Sequence, residues 1–144
     1  MKEVSKRIVK ELKIMERGYD MMGYAVERES ELSYHHLIIP RRECKRIGLG
    51  DGYTYWNGSM LTQDSKNRGS DSHDYLHLIE RVDYEKFLEI SSEMIDERIK
   101  GEISKENLKR IREILLRFEK ENSGLEGIKE NYIEFREKVL TRWK

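Results

Sequence analysis

The second half of the chain is the part that most narrows the choice of fold. From Tyr84 onward, Tyr84, Phe87, Ser91, Met94 or Ile95, and Ile99 fall on one stripe at helical spacing. Leu108, Ile111, Leu115 and Phe118 form a second stripe, with Ser104 placed to cap it after a break at Gly101. Ile128, Tyr132, Phe135 or Arg136, Val139 and Trp143 form a third, separated from the second by "ENSGLEG". These stripes are expected to be core and the acidic outer faces solvated.

The first half is punctuated differently. Before Gly18, Val4, Ile8, Leu12 and Met15 predict an amphipathic helix, followed by the connector "GYDMMGYAVERESEL" with room for a short strand. β-branched and apolar residues predict a strand from Leu32 to Ile39, stopped by Pro40, the only proline. "ECKRIGLGDGYTYWNG" holds four glycines and reads as a loop leading into a second strand around Tyr53 to Leu61. After the turn-rich "TQDSKNRGSDS", Asp71 or Ser72 is placed to cap a helix carrying "HDYLHLIERV". The expectation is an α+β protein of 144 residues with a ββα centre over 32–83. Residues 1–31 would supply an N-terminal helix and connector, and 84–144 a helical extension packed on the core.

Charge and cysteine content exclude several roles. Twenty-eight basic residues balance twenty-eight acidic ones, so a nucleic-acid site has to be local rather than global. Arg41, Arg42, Lys45, Arg46, Lys66 and Arg68 face only three acids between Leu37 and Gly69. From Asp71 to Glu102 the balance reverses, with ten acids against four bases. The single Cys44 allows neither an internal disulfide nor a CxxC zinc pair, fits a reducing compartment and is assigned no chemistry. With no 18-residue apolar run and no signal-peptide core, the chain reads as soluble, cytoplasmic and not bound to a membrane.

The four histidines are the chemistry-bearing residues. His35 and His36 are adjacent on the first strand, where successive side chains take opposite faces. His73 and His77 are four apart on the following helix and so share a face, a spacing that lets two imidazoles hold one metal ion. A strand histidine turned toward that helix supplies a third ligand, and its neighbour stays free as a base. Asn57 lies between them in "TYWNGSML", on the second strand, where an amide can brace a backbone or a histidine. Asp71 and Asp74 beside His73 are candidates for orienting a ligand histidine, and also ordinary helix-start residues. Tyr53, Tyr55 and Trp56 could stack on a sugar or base, or pack in the core.

The order "SYHHLIIP" … "YWNGSML" … "SHDYLHLIE" resembles the HNH endonucleases, the ββα-metal superfamily, and among them the small HNH proteins of phages and prophages. The likeness covers roughly Leu32 to Glu80. It implies His35, His73 and His77 as ligands of one divalent ion, His36 as general base, and Asn57 as the residue that orients the base loop. The chain departs from the family in lacking the cysteine pairs of a zinc ribbon, and in the longer stretch "QDSKNRGSD" before the helix.

Hydrolysis of a phosphodiester needs a nucleophile, charge neutralisation and a stabilised leaving group. A neutral imidazole, with an ordinary pKa of about 6.5, can take a proton from water near pH 7. Three imidazole ligands suit zinc, nickel or manganese better than magnesium, which prefers oxygen donors. The expected activity is a metal-dependent DNA endonuclease, with Arg41, Arg42, Lys45, Arg46, Lys66 and Arg68 contacting phosphates. Two other readings compete with it. One is a mobile-element protein that grips a host protein through its acidic helical half, with the metal as a staple. The other is an RNA-directed nuclease.

Overall fold

The computed structural model describes residues 3–15, 19–24, 26, 32–36, 41–50, 52–54, 57–63, 71–125, 132, 135, 139 and 140. Among these, the fold is α+β: five helices and a two-stranded antiparallel sheet. α1 spans Glu3–Met15, β1 Leu32–His36, α2 Arg41–Arg46, β2 Gly58–Thr62, α3 Ser72–Val82, α4 Tyr84–Lys100 and α5 Lys105–Glu121. No described helix is long and apolar enough to cross a membrane.

β1 pairs with β2 in a register that sets Leu32 opposite Thr62 and His36 opposite Gly58. Gly58 is required there. A Cβ at this position would fall on the ring of Tyr34, which crosses the start of β2 on its way to the loop beyond. α1 supplies Ile8 and Leu12 to a small cluster with Leu32, Tyr34 and Met60, while Val4, the first residue of its sequence stripe, stays exposed. The larger core joins Met21, Met22 and Leu61 to Tyr75, Leu76 and Ile79 of α3, Phe87, Ile90 and Met94 of α4, and Ile111, Leu115 and Phe118 of α5.

Among the described residues of the connector after α1, 20–24 form a turn anchored by a buried carboxylate. Asp20 Oδ1 accepts from the amides of Met22 (2.9 Å) and Tyr24 (3.0 Å). Its Oδ2 accepts from Thr62 N (3.1 Å) and Thr62 Oγ1 (2.9 Å), tying the end of β2 to the turn. Burial pushes this carboxyl above the usual range, and hydrogen bonds from Ser72, Thr62 and Tyr24 pull it back toward the charged form.

The helix boundaries follow capping chemistry. Asp71 caps α3 by accepting from Asp74 N at 2.9 Å, and Ser104 caps α5 by accepting from Asn107 N at 3.1 Å. Asp83 ends α3 and caps α4. Gly101 closes α4 in the left-handed conformation, φ 77°. Lys86 pairs with Asp83 and Glu121, which pins the start of α4 to the end of α5.

Three sequence expectations change. The segment read as a loop begins with a helical turn and a half, α2, carrying Arg41, Arg42, Lys45 and Arg46. The second strand is shorter than expected and starts at Gly58, so Asn57 sits at the bend before it rather than on it. On α4, Tyr84 and Ile99 are exposed, and the buried side is Phe87, Ile90, Ser91, Met94 and Glu97. The end of the first strand at residues 37–40 and most of the expected helix over 128–143 lie outside the described residues. Within the latter, Tyr132, Phe135 and Val139 are buried in the main core, as their stripe requires.

Candidate metal centre

β1 sends its side chains alternately to two environments. His35 is buried against α3, with ring centroids 5.3 Å from His73, 5.1 Å from His77 and 6.4 Å from Phe87. His73 and His77, one turn apart on α3, stack 4.8 Å from each other. The three rings offer nitrogens that all lie within 4.8 Å of one another. Two nitrogens bound to one tetrahedral zinc sit about 3.3 Å apart, so modest side-chain rotation brings the set to ligating distance.

The chemistry of these nitrogens fits a cation. His35 Nε2 and His73 Nδ1 are buried and have no hydrogen-bond partner among the described residues. An orphaned buried nitrogen costs free energy unless something supplies the missing contact. Burial, with His73, His77 and His36 adding to it, holds His35 well below the ordinary imidazole range. Burial and then His77 push His73 down to about 4, against a smaller opposing pull from Asp74. Both rings are therefore neutral near pH 7 with lone pairs available, the form a metal needs. His77 is exposed, and its Nδ1 lies 3.6 Å from Glu80 Oε1, too far for a direct hydrogen bond.

His36 leaves the opposite face of β1, on the side of Tyr34, as strand alternation requires. Its ring stands edge-on to Tyr34 (4.9 Å) and to Tyr53 (5.5 Å). Tyr34 is itself fixed to the loop between α2 and β2: its hydroxyl donates to Thr54 O (2.7 Å) and accepts from Thr54 N (3.1 Å). Gly52 lies against His36 in the left-handed region, φ 74°, where an added Cβ would meet Cys44 Sγ and His36 Cδ2. Asn57 completes this support. Fully buried, it donates from Nδ2 to Gly52 O (3.4 Å) and points toward Cys44 Sγ (3.7 Å). Its own amide bonds Thr54 Oγ1 at 3.0 Å.

Both faces open to one cavity of about 790 Å³, lined by His35, His36, His73 and His77 together with Arg41 and Arg42. The Arg41 guanidinium stands 5.9 Å from the Tyr53 ring centroid. Lys45 and Arg46 are exposed on α2 but do not line the cavity, and Arg46 is paired with Glu43 (Nε to Oε2, 2.7 Å). Lys66, Arg68, Tyr55 and Trp56 lie outside the described residues. Cys44 is a wholly buried helix residue rather than a loop thiol. Asp71 serves the helix start, accepting from Asp74 N.

The sequence reading named the four histidines and Asn57 but missed Tyr34 and Gly52. Tyr34 carried a usable signal, since a residue two before His36 on a strand must share its face. No protein-family model, curated protein or solved structure matches the chain.

Proposed function

We propose that the protein is a metal-dependent DNA endonuclease with a ββα-metal centre of the HNH type. His35, His73 and His77 would hold one divalent cation, and His36 would act as general base. One observation carries this reading. Three imidazoles converge, two of them with buried nitrogens that lack a partner among the described residues, in a cavity that also holds a fourth histidine from the opposite strand face.

The bound ion would neutralise a phosphate oxygen and the departing 3′ oxygen. His36 takes the proton from the attacking water. Tyr34 and Tyr53 restrict its ring, and Gly52 lies against its Cδ2 edge. Asn57 holds the Gly52 carbonyl, so it acts as a positioning residue for the base. Arg41 and Arg42 supply the positive charge that a phosphate backbone requires in the same cavity. Imidazole donors favour zinc, nickel or manganese over magnesium. A purely structural ion has no use for His36, which favours catalysis over a metal staple.

The test is incubation of supercoiled plasmid with the purified protein and each of these four metals. Nicked or linear DNA that depends on metal supports the reading, and intact plasmid under every metal contradicts it.

A further inference from the structure

The cavity has a second wall that the proposed hydrolysis does not use. α4 contributes Tyr84, Phe87, Leu88, Ser91, Ser92 and Ile95. Tyr84 is 59% exposed and Leu88 50%, which is unusual for large apolar side chains bordering a polar site. The Tyr84 ring stacks on Phe87 at 5.6 Å with an interplanar angle of 29°. Phe87 in turn stands edge-on to His35 at 6.4 Å, so two ring contacts lead from the metal centre to solvent. Ser91, only 5% exposed, has a buried hydroxyl with no hydrogen-bond partner among the described residues. Arg41 and Arg42 line the same cavity.

A continuous duplex presents phosphates outward and keeps its bases stacked inside. It satisfies the arginines but offers nothing to an aromatic and aliphatic wall. An unpaired strand offers both a phosphate chain and free base faces, and a base gains from stacking on an aromatic side chain whatever the sequence. A protein partner would have to set carboxylates beside an apolar patch to match both, whereas every nucleotide of an unpaired strand carries a phosphate and a base face. We infer that the α4 wall is a platform for an unpaired base, so that the substrate is DNA with a single-stranded or locally unpaired segment at the cut. The base lies on Tyr84, the Ser91 hydroxyl bonds its edge, and the flanking phosphates meet Arg41 and Arg42. This rests on the nuclease reading for the cut, and on the wall alone for the binding.

The test separates the two by measuring binding in a His36→Ala background. Fluorescence anisotropy compares a short single-stranded oligonucleotide with the duplex of the same sequence, and a stacking-sensitive adenine analogue reports the base. The expected result is about 10-fold tighter binding of the single strand, with a changed analogue signal. Tyr84→Ala removes that preference, and Tyr84→Phe restores it. Equal affinity for duplex, or no effect of Tyr84→Ala, overturns the platform. So does failure of both nucleic acids to bind, which would leave the wall to a protein. A single-strand preference with no plasmid nicking by the wild type upholds the platform and sinks only the nuclease reading. Nicking without the preference does the reverse.

Discussion

His35 and His36 are neighbours in sequence, yet their side chains leave β1 on opposite faces into different surroundings. His35 meets His77 at 5.1 Å, while His36 meets Tyr34 at 4.9 Å. A two-residue periodicity thus sends the two rings of one dipeptide to different surroundings, as the proposed ligand and base roles require, and the cavity rejoins them at the strand end.

That division has a direct consequence for metal binding. His35→Ala, His73→Ala and His77→Ala should each weaken affinity for zinc or nickel by at least about 100-fold, beyond the usual effect of losing a residue that only orients a ligand. His36→Ala should leave it within a few-fold. Competition with a chromogenic chelator measures all four, and an equal loss in His36→Ala would place that ring among the ligands.

Stability should fall in acid before metal is added. His35 and His73 are held below the imidazole range in the fold, His73 at about 4, but titrate near 6.5 in the unfolded chain. The unfolded chain therefore binds more protons below that pH. The stabilisation from neutral rings is full above about pH 7 and is lost as pH drops toward about 4. For His73 the change is on the order of 2 kcal/mol, allowing for its partial contact with water. Urea midpoints of metal-free protein at about pH 7 and about pH 5 test this, and a flat profile would contradict it.

Asn57 should affect the base without touching the ion. Asn57→Ala removes one of two side-chain donors to the buried Gly52 carbonyl, leaving the Tyr34 hydroxyl at 3.3 Å, at a cost of about 1 kcal/mol, and loosens the loop against His36. The expected outcome is a lower melting temperature and a larger fall in kcat than in KM, with metal affinity unchanged. Unaltered kcat in folded Asn57→Ala protein would remove its positioning role.

How much of this was legible in the sequence varies by the range of the interaction. The His73/His77 pairing, the caps at Asp71 and Ser104 and the stop at Gly101 depend on residues within a turn of each other, and local spacing reports them. The bonds from Tyr34 to Thr54 and from Asp20 to Thr62 span 20 and 42 residues, and no periodicity encodes such partners. α2 was hidden because "RRECKR" is short and lies between the only proline and a run of glycines. α4 carries two overlapping apolar stripes, one through Tyr84, Leu88, Ile95 and Ile99 and one through Phe87, Ile90 and Met94. Packing against α3 and α5 decides which is buried, and a helical period alone does not.

The arginines of α2 should contribute through charge alone. Arg41→Ala with Arg42→Ala should weaken DNA binding across sequences and reduce the slope of log affinity against log salt by about 2. Titrations at several salt concentrations read this, and an unchanged slope would move the phosphate path away from α2.

The central claim is that His36 is the base of a metal-dependent nuclease, and it is met most directly by plasmid cleavage with His36→Ala protein of measured metal content. Metal-loaded His36→Ala protein should leave supercoiled DNA intact where the wild type nicks it, a fall of at least about 100-fold. Cleavage by His36→Ala at the wild-type rate, with the metal still bound, would contradict it.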